Sequence, residues 1–290
     1  MERKPYRYDE KWGFSIMYTE KALDLINSFI NSELKGNIDN LQHYSFWGIE
    51  NKSIFNGIKG DFDGDRTNIV YAIDYLLYKD TAFPNFTLKG FPSNDDTSAN
   101  YSGETINPFN TLFAKDLSRR NEIQKKFGSE WYLIQDINES NNPFANDFYH
   151  VYQRIGNFML FPNIKADSLN TFKFSGFKDF ADLFFNDLKN VLSINNVNKN
   201  EKMNQIIKLD KLYFKNKTFE QFLNDFYLNE YELLTIEGMH YYHWYPQLLS
   251  NEKVFDEYKS FSLKYVSQAS KFIELRSEKI KNILKNNYFS

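Results

Sequence analysis

The sequence predicts an α+β chain dominated by helices. A mixed N-terminal half with short strands is expected to pack on a C-terminal helical array that ends in one long helix. Three observations carry that prediction. Chain breakers are scarce, with 12 glycines and 7 prolines in 290 residues, against roughly 12% combined in average usage. Apolar residues recur at helical spacing in both halves. Short apolar pieces punctuated by Gly48, Gly57 and Gly60 have the look of hairpins between Ser45 and Asp63.

In the N-terminal half, Trp12 to Tyr18 is apolar enough for a short strand or a docking segment. Ala22, Leu25, Ile26, Phe29 and Ile30 then predict a helix from Thr19 to Leu34, with Gly36 as its stop. A second helix is expected from Thr67 to Tyr78, burying Val70, Ile73, Leu76 and Leu77. Thr81 to Gly90 reads as a turn leading into a strand, and Trp131 to Ile137 as a strand. Pro92 to Asn107 is rich in Ser, Asn, Asp, Thr and Gly, the composition of a mobile surface loop. Asn138 to Asp147 marks the expected boundary between a mixed half, residues 1–145, and a mainly helical half, residues 146–290.

The two halves meet at Phe148–Asn163, where the pair Gly156-Asn157 precedes an apolar run stopped by Pro162. Arg154, Gly156 and Asn157 are read as a structural hinge, with Gly156 placed where a side chain would clash or φ is positive. Downstream, Thr171 to Phe174 alternates like a strand. Phe177, Phe180, Ala181, Phe184, Leu188, Val191 and Leu192 share one helical face. Further helices are expected near Glu201–Phe214 and Thr218–Leu228, the latter with Thr218 and Gln221 set for a capping box. The last helix runs from Glu252 to Leu284 along Val254, Tyr258, Phe261, Tyr265, Ala269, Phe272, Ile273, Ile280 and Ile283. At about 45 Å it exceeds what a compact core needs, so it either spans both halves or offers one end to a partner.

Composition narrows the function classes. With 35 basic and 38 acidic residues the net charge is −3, so no overall field draws the chain to nucleic acid or an anionic membrane. Absent cysteines exclude disulfides, thiolate metal sites and cysteine nucleophiles, and suit a reducing cytoplasm. No signal-like segment opens the sequence and no apolar run is long enough to span a bilayer. Usage heavy in Asn, Lys, Phe and Ile points to an AT-rich bacterial or phage genome.

Two constellations invite metal chemistry and both fall short. Asp61-Phe-Asp-Gly-Asp65 resembles the start of a calcium loop, but Arg66 stands where the turn needs Gly and Ala72 where the bidentate Glu belongs. We read it as a solvated turn, with Asp65 capping the following helix. Glu237, His240 and His243 have spacing i, i+3, i+6, yet Gly238 and Pro246 interrupt the segment and only His43 and His150 remain as further imidazoles. The expectation is therefore no metal and no cofactor. Tyr241, Tyr242, Trp244 and Tyr245 crowd four rings into five positions and are the candidate protein-binding residues.

By its apolar pattern the chain resembles a bacterial and phage family known only as a domain of unknown function. The resemblance rests on Ile155-Gly-Asn-Phe-Met-Leu-Phe-Pro-Asn163, the segment from Gly176 to Leu183, and Phe255 to Arg276. A weaker likeness runs from Tyr71 to Lys79. It implies a fold and no activity. Arg154-Ile-Gly-Asn157 also resembles a segment of HNH-type nucleases, whose upstream metal-and-base His is not matched, His43 being far away. Two function classes follow. The first is a non-enzymatic, homo-oligomeric protein-binding factor of the host cytoplasm, such as a phage inhibitor of a Gabija-type defence complex. The second is a metal-dependent nuclease or defence effector built around Arg154, Asn157 and carboxylates.

Overall fold

A computed structural model describes residues 18–46, 67–80, 100–104, 151, 153–162, 185, 188–190, 192, 217–234 and 252–289. The side chains of 100–104, 159–162 and 252–266 are outside that description. Helices dominate: α1 (Thr19–Ser32), α2 (Asn68–Tyr78), α3 (Phe219–Asp225) and α4 (Glu252–Tyr288), joined by 3-10 turns at Ile38–His43, Ile155–Asn157 and Tyr231–Leu234.

The expected α+β class does not hold. Among the described residues the one extended pairing is a ladder of β1 (Asn100–Glu104) with β2 (Phe158–Pro162). It is antiparallel, from Asn100 opposite Pro162 to Glu104 opposite Phe158. Two strands make no sheet face on which helices can layer, and such a pair needs outside support. The described core is helix on helix. Residues 100–104 lie inside the segment expected to be a polar loop; apposition to the apolar 158–162 run, not local propensity, draws them into line. The other expected strands and hairpins, and the helix near Glu201–Phe214, fall outside the described residues.

α1 forms where the apolar spacing predicted it and buries Ala22, Ile26, Phe29 and Ile30. It ends two residues early. Lys35 (φ 54°) and Gly36 (φ 76°) turn the chain through the left-handed region. The released carbonyls are taken up by Gly36 N–H on Ile30 O (2.9 Å) and Asn40 Nδ2 on Leu34 O (2.9 Å).

α2 is more deeply placed than its predicted face implied. Besides Val70, Ile73, Leu76 and Leu77 it buries Ile69, Tyr71, Ala72, Asp74 and Tyr78, so it is enclosed on nearly every side. α1 packs along it. Its cap is Thr67, whose Oγ1 accepts from Val70 N–H at 3.3 Å, in place of the Asp65 cap expected from the sequence.

α3 carries the predicted capping box. Gln221 N–H donates to Thr218 Oγ1 at 3.1 Å while Thr218 N–H donates to Gln221 Oε1 at 2.9 Å. It ends at Asp225, before the expected Leu228, because Tyr227 turns left-handed (φ 59°). Phe219, Phe222 and Phe226 are buried. Phe226 meets the Tyr78 ring at 5.3 Å and Phe219 meets Tyr231 edge-on at 5.1 Å. Within the predicted 177–192 helix the described residues are helical; Leu188 is buried as expected, and so is Phe185.

α4 is 37 residues, about 55 Å, and extends past Leu284. Tyr288 Oη donates to Leu76 O at 3.2 Å, tying its end to α2. From Ala269 onward its inner stripe is Ala269, Phe272, Ile273, Arg276, Ser277, Ile280 and Leu284, all buried. The helix packs on the Ile38–His43, Ile155–Asn157 and Tyr231–Leu234 turns and on α2, thus on elements from both sides of residue 145.

Lys35 is exposed and holds a conformation that costs an L-residue roughly 1 kcal/mol. Lys35→Gly is expected to raise stability by up to about 1 kcal/mol, read as a higher midpoint in urea with an unchanged slope.

Candidate functional site

The densest polar constellation among the described residues surrounds a cation that the sequence reading left unplaced. Arg276 sits in the apolar stripe of α4, at helical spacing from Phe272 and Ile280, and is 0% exposed. Four of its N–H directions are matched. Nε donates to Phe226 O (3.2 Å), Nη1 to Gly156 O (2.7 Å) and Phe158 O (2.6 Å), and Nη2 to Tyr78 Oη (3.0 Å). Three of these acceptors are main-chain carbonyls, and Phe226 O lies at the C-cap of α3, the negative end of that helix. Each is a charge-assisted bond, stronger than its neutral counterpart.

Tyr78 completes the cage as a neutral phenol. Burial pushes its pKa well above the ordinary value and the charge of Asp74 pushes the same way, while the Arg276 guanidinium pulls down. Tyr227, whose ring stacks at 6.0 Å on Tyr78, is also raised, chiefly by burial.

The residues expected to form a hinge lie beside this cage, in the turn that packs on α4. Gly156 N–H donates to Ser277 Oγ at 2.9 Å while its carbonyl receives Arg276, so both main-chain groups face α4. A Cβ on Gly156 would overlap the Ile273 carbonyl oxygen and lie 2.5 Å from Ser277 Oγ and 2.6 Å from Ser277 N. Its φ is not positive; close approach of two backbones is what requires glycine. Asn157 is fully buried, its N–H closing the turn on Arg154 O at 2.9 Å. The Arg154 side chain is largely covered, with Nη1 3.2 Å from the half-exposed Glu274 carboxylate of α4. Just upstream, Gln153 O accepts from Phe46 N–H at 2.9 Å, linking the turn to the N-terminal elements.

A second polar contact fastens the Ile38–His43 turn to α4. Asp39 lies 2.7 Å from Lys285 Nζ and 3.6 Å from the nearly buried Lys281 Nζ. The Lys285 hydrogen bond, reinforced by the charges of both lysines, holds the Asp39 carboxyl below its ordinary value of 3.8. His43, on the same turn, is exposed and bonded through Nε2 to Gln42 Nε2 at 2.8 Å.

Tyr241, Tyr242, Trp244 and Tyr245 lie outside the described residues, as do Glu237, His240, His243 and the Asp61–Asp65 loop. Among the described residues no three His, Cys, Asp or Glu side chains gather as a metal site, and no helix is long and apolar enough to cross a membrane. Exposed large apolar side chains there are Tyr18 and Leu275. The signal for Arg276 and Ser277 was present in the sequence. A charge and a hydroxyl interrupt an otherwise apolar stripe, one helical turn beyond Phe272 and Ile273.

No protein-family model, curated protein or solved structure matches the chain. As a class these residues define a helix-dominated fold closed by a buried arginine, with Gly156 built into the closure.

Two substitutions test that closure. Gly156→Val is expected to destabilise by about 3 kcal/mol or more, because the obstructing atoms are helix backbone. Arg276→Ala, which leaves three carbonyls without their donor, is expected to cost at least about 3 kcal/mol. Denaturant melts at wild-type values for either variant overturn the reading.

Asp39 supplies a pH dependence. A carboxyl depressed in the folded state stabilises above its unfolded value and ceases to do so as pH falls through the folded one. Asp39→Asn is therefore expected to melt below wild type at pH 6, with the difference disappearing as the pH drops below 3.8. Paired thermal melts across that range check it.

Proposed function

We propose that this chain is a non-enzymatic protein-binding factor, and more narrowly a phage-encoded inhibitor that docks on a bacterial anti-phage defence complex of the Gabija type in the host cytoplasm. The observation that carries the reading is the engagement of Arg154, Gly156 and Asn157. Arg154 and Asn157, together with carboxylates, are the residues on which the alternative nuclease reading rests. In the fold, Gly156 is bonded to α4 through both main-chain groups, Asn157 is buried, and Arg154 pairs with Glu274. An arginine and an amide held this way serve packing before they serve a substrate.

Composition supports the same reading. The chain is 18% aromatic, and Tyr, Trp and Phe are the rings that dominate protein–protein contacts. Among the described residues the rings mostly fill the core, as Phe29, Phe46, Tyr78, Phe158, Phe219 and Phe226 do. The Tyr241–Tyr245 cluster is the concentration of rings assigned to partner binding, and self-association of the chain belongs to the same proposal. The balanced charge gives nucleic acid no broad attraction. Kinship with the bacterial and phage family of unknown function is likewise proposed, on the Ile155–Asn163 segment and the helices downstream.

The test joins a cellular and a binding measurement. Expression in a host carrying a Gabija-type system is expected to restore plating of a sensitive phage. Purified chain is expected to bind the purified complex in calorimetry, and Trp244→Ala to weaken binding by about 2 kcal/mol, roughly 30-fold, with its melt unchanged. Light scattering is expected to give an oligomer. No binding, together with close to one transition-metal ion per chain and chelator-sensitive nuclease activity, overturns the proposal and establishes the enzyme reading.

A further inference from the structure

We draw no further inference here: the strongest candidate, the Asp39–Lys281–Lys285 cluster where the Ile38–His43 turn meets the closing helix, belongs to the turn-to-helix contact already described, and nothing among the described residues directs its charges toward a ligand.

Discussion

A guanidinium with no access to water holds the described fold together. Arg276 reaches Tyr78 in α2, the carbonyls of Gly156 and Phe158 in the central stretch, and Phe226 at the end of α3. Three segments far apart in sequence thus converge on one side chain of α4. Desolvating a cation costs several kcal/mol unless its donors are met, so displacement of any of these segments leaves charge and carbonyls exposed to a low-dielectric interior. Hydrophobic packing alone permits a helix to slide by a turn. A planar fork with fixed donor directions resists such a slide, and α4 is thereby held in one register.

The remaining features follow from that closure. Gly156 lets the central turn approach the helix backbone closely enough for its carbonyl to reach Arg276 and its N–H to reach Ser277. Left-handed Tyr227 ends α3 just after Phe226, whose carbonyl receives Nε. Tyr78 stays protonated because its surroundings disfavour a phenolate more strongly than Arg276 favours one. Around this polar centre the aromatic rings of Phe46, Phe158, Tyr78 and Phe226 meet edge-on or tilted at 5.3–5.9 Å, excluding the water that would weaken it.

The same closure bears on function by engagement. Of the residues that suit anion binding in the abstract, Arg154 pairs here with Glu274 of the long helix and Asn157 is buried in the turn beside it. Gly156 bonds to that helix through both main-chain groups. Polar identity is a weak guide to chemistry when the backbone nearby also needs donors and acceptors. The protein-binding reading takes its weight from that reassignment and from the aromatic content of the chain.

Helix positions were legible in the sequence because they depend on local order. α1, α2 and α4 followed the apolar period, and Thr218 with Gln221 marked the start of α3 within four residues of chain. Gly156 stood out in the sequence as part of the turn-capable Gly156-Asn157 pair ahead of an apolar run, with either a clash or a positive φ as the cause. The close approach of two backbones is the one the fold uses. Tertiary structure decided the rest. It enclosed α2 on nearly every side, aligned 100–104 with 158–162, and replaced the expected α+β layering with helix-on-helix packing. Above all it placed a charge at the centre. Arg276 on an apolar stripe reads locally as a flaw in the pattern, since its acceptors lie 50 to 198 residues away. Periodicity reports only what one helix presents; which carbonyls meet it is set by segments brought together on folding.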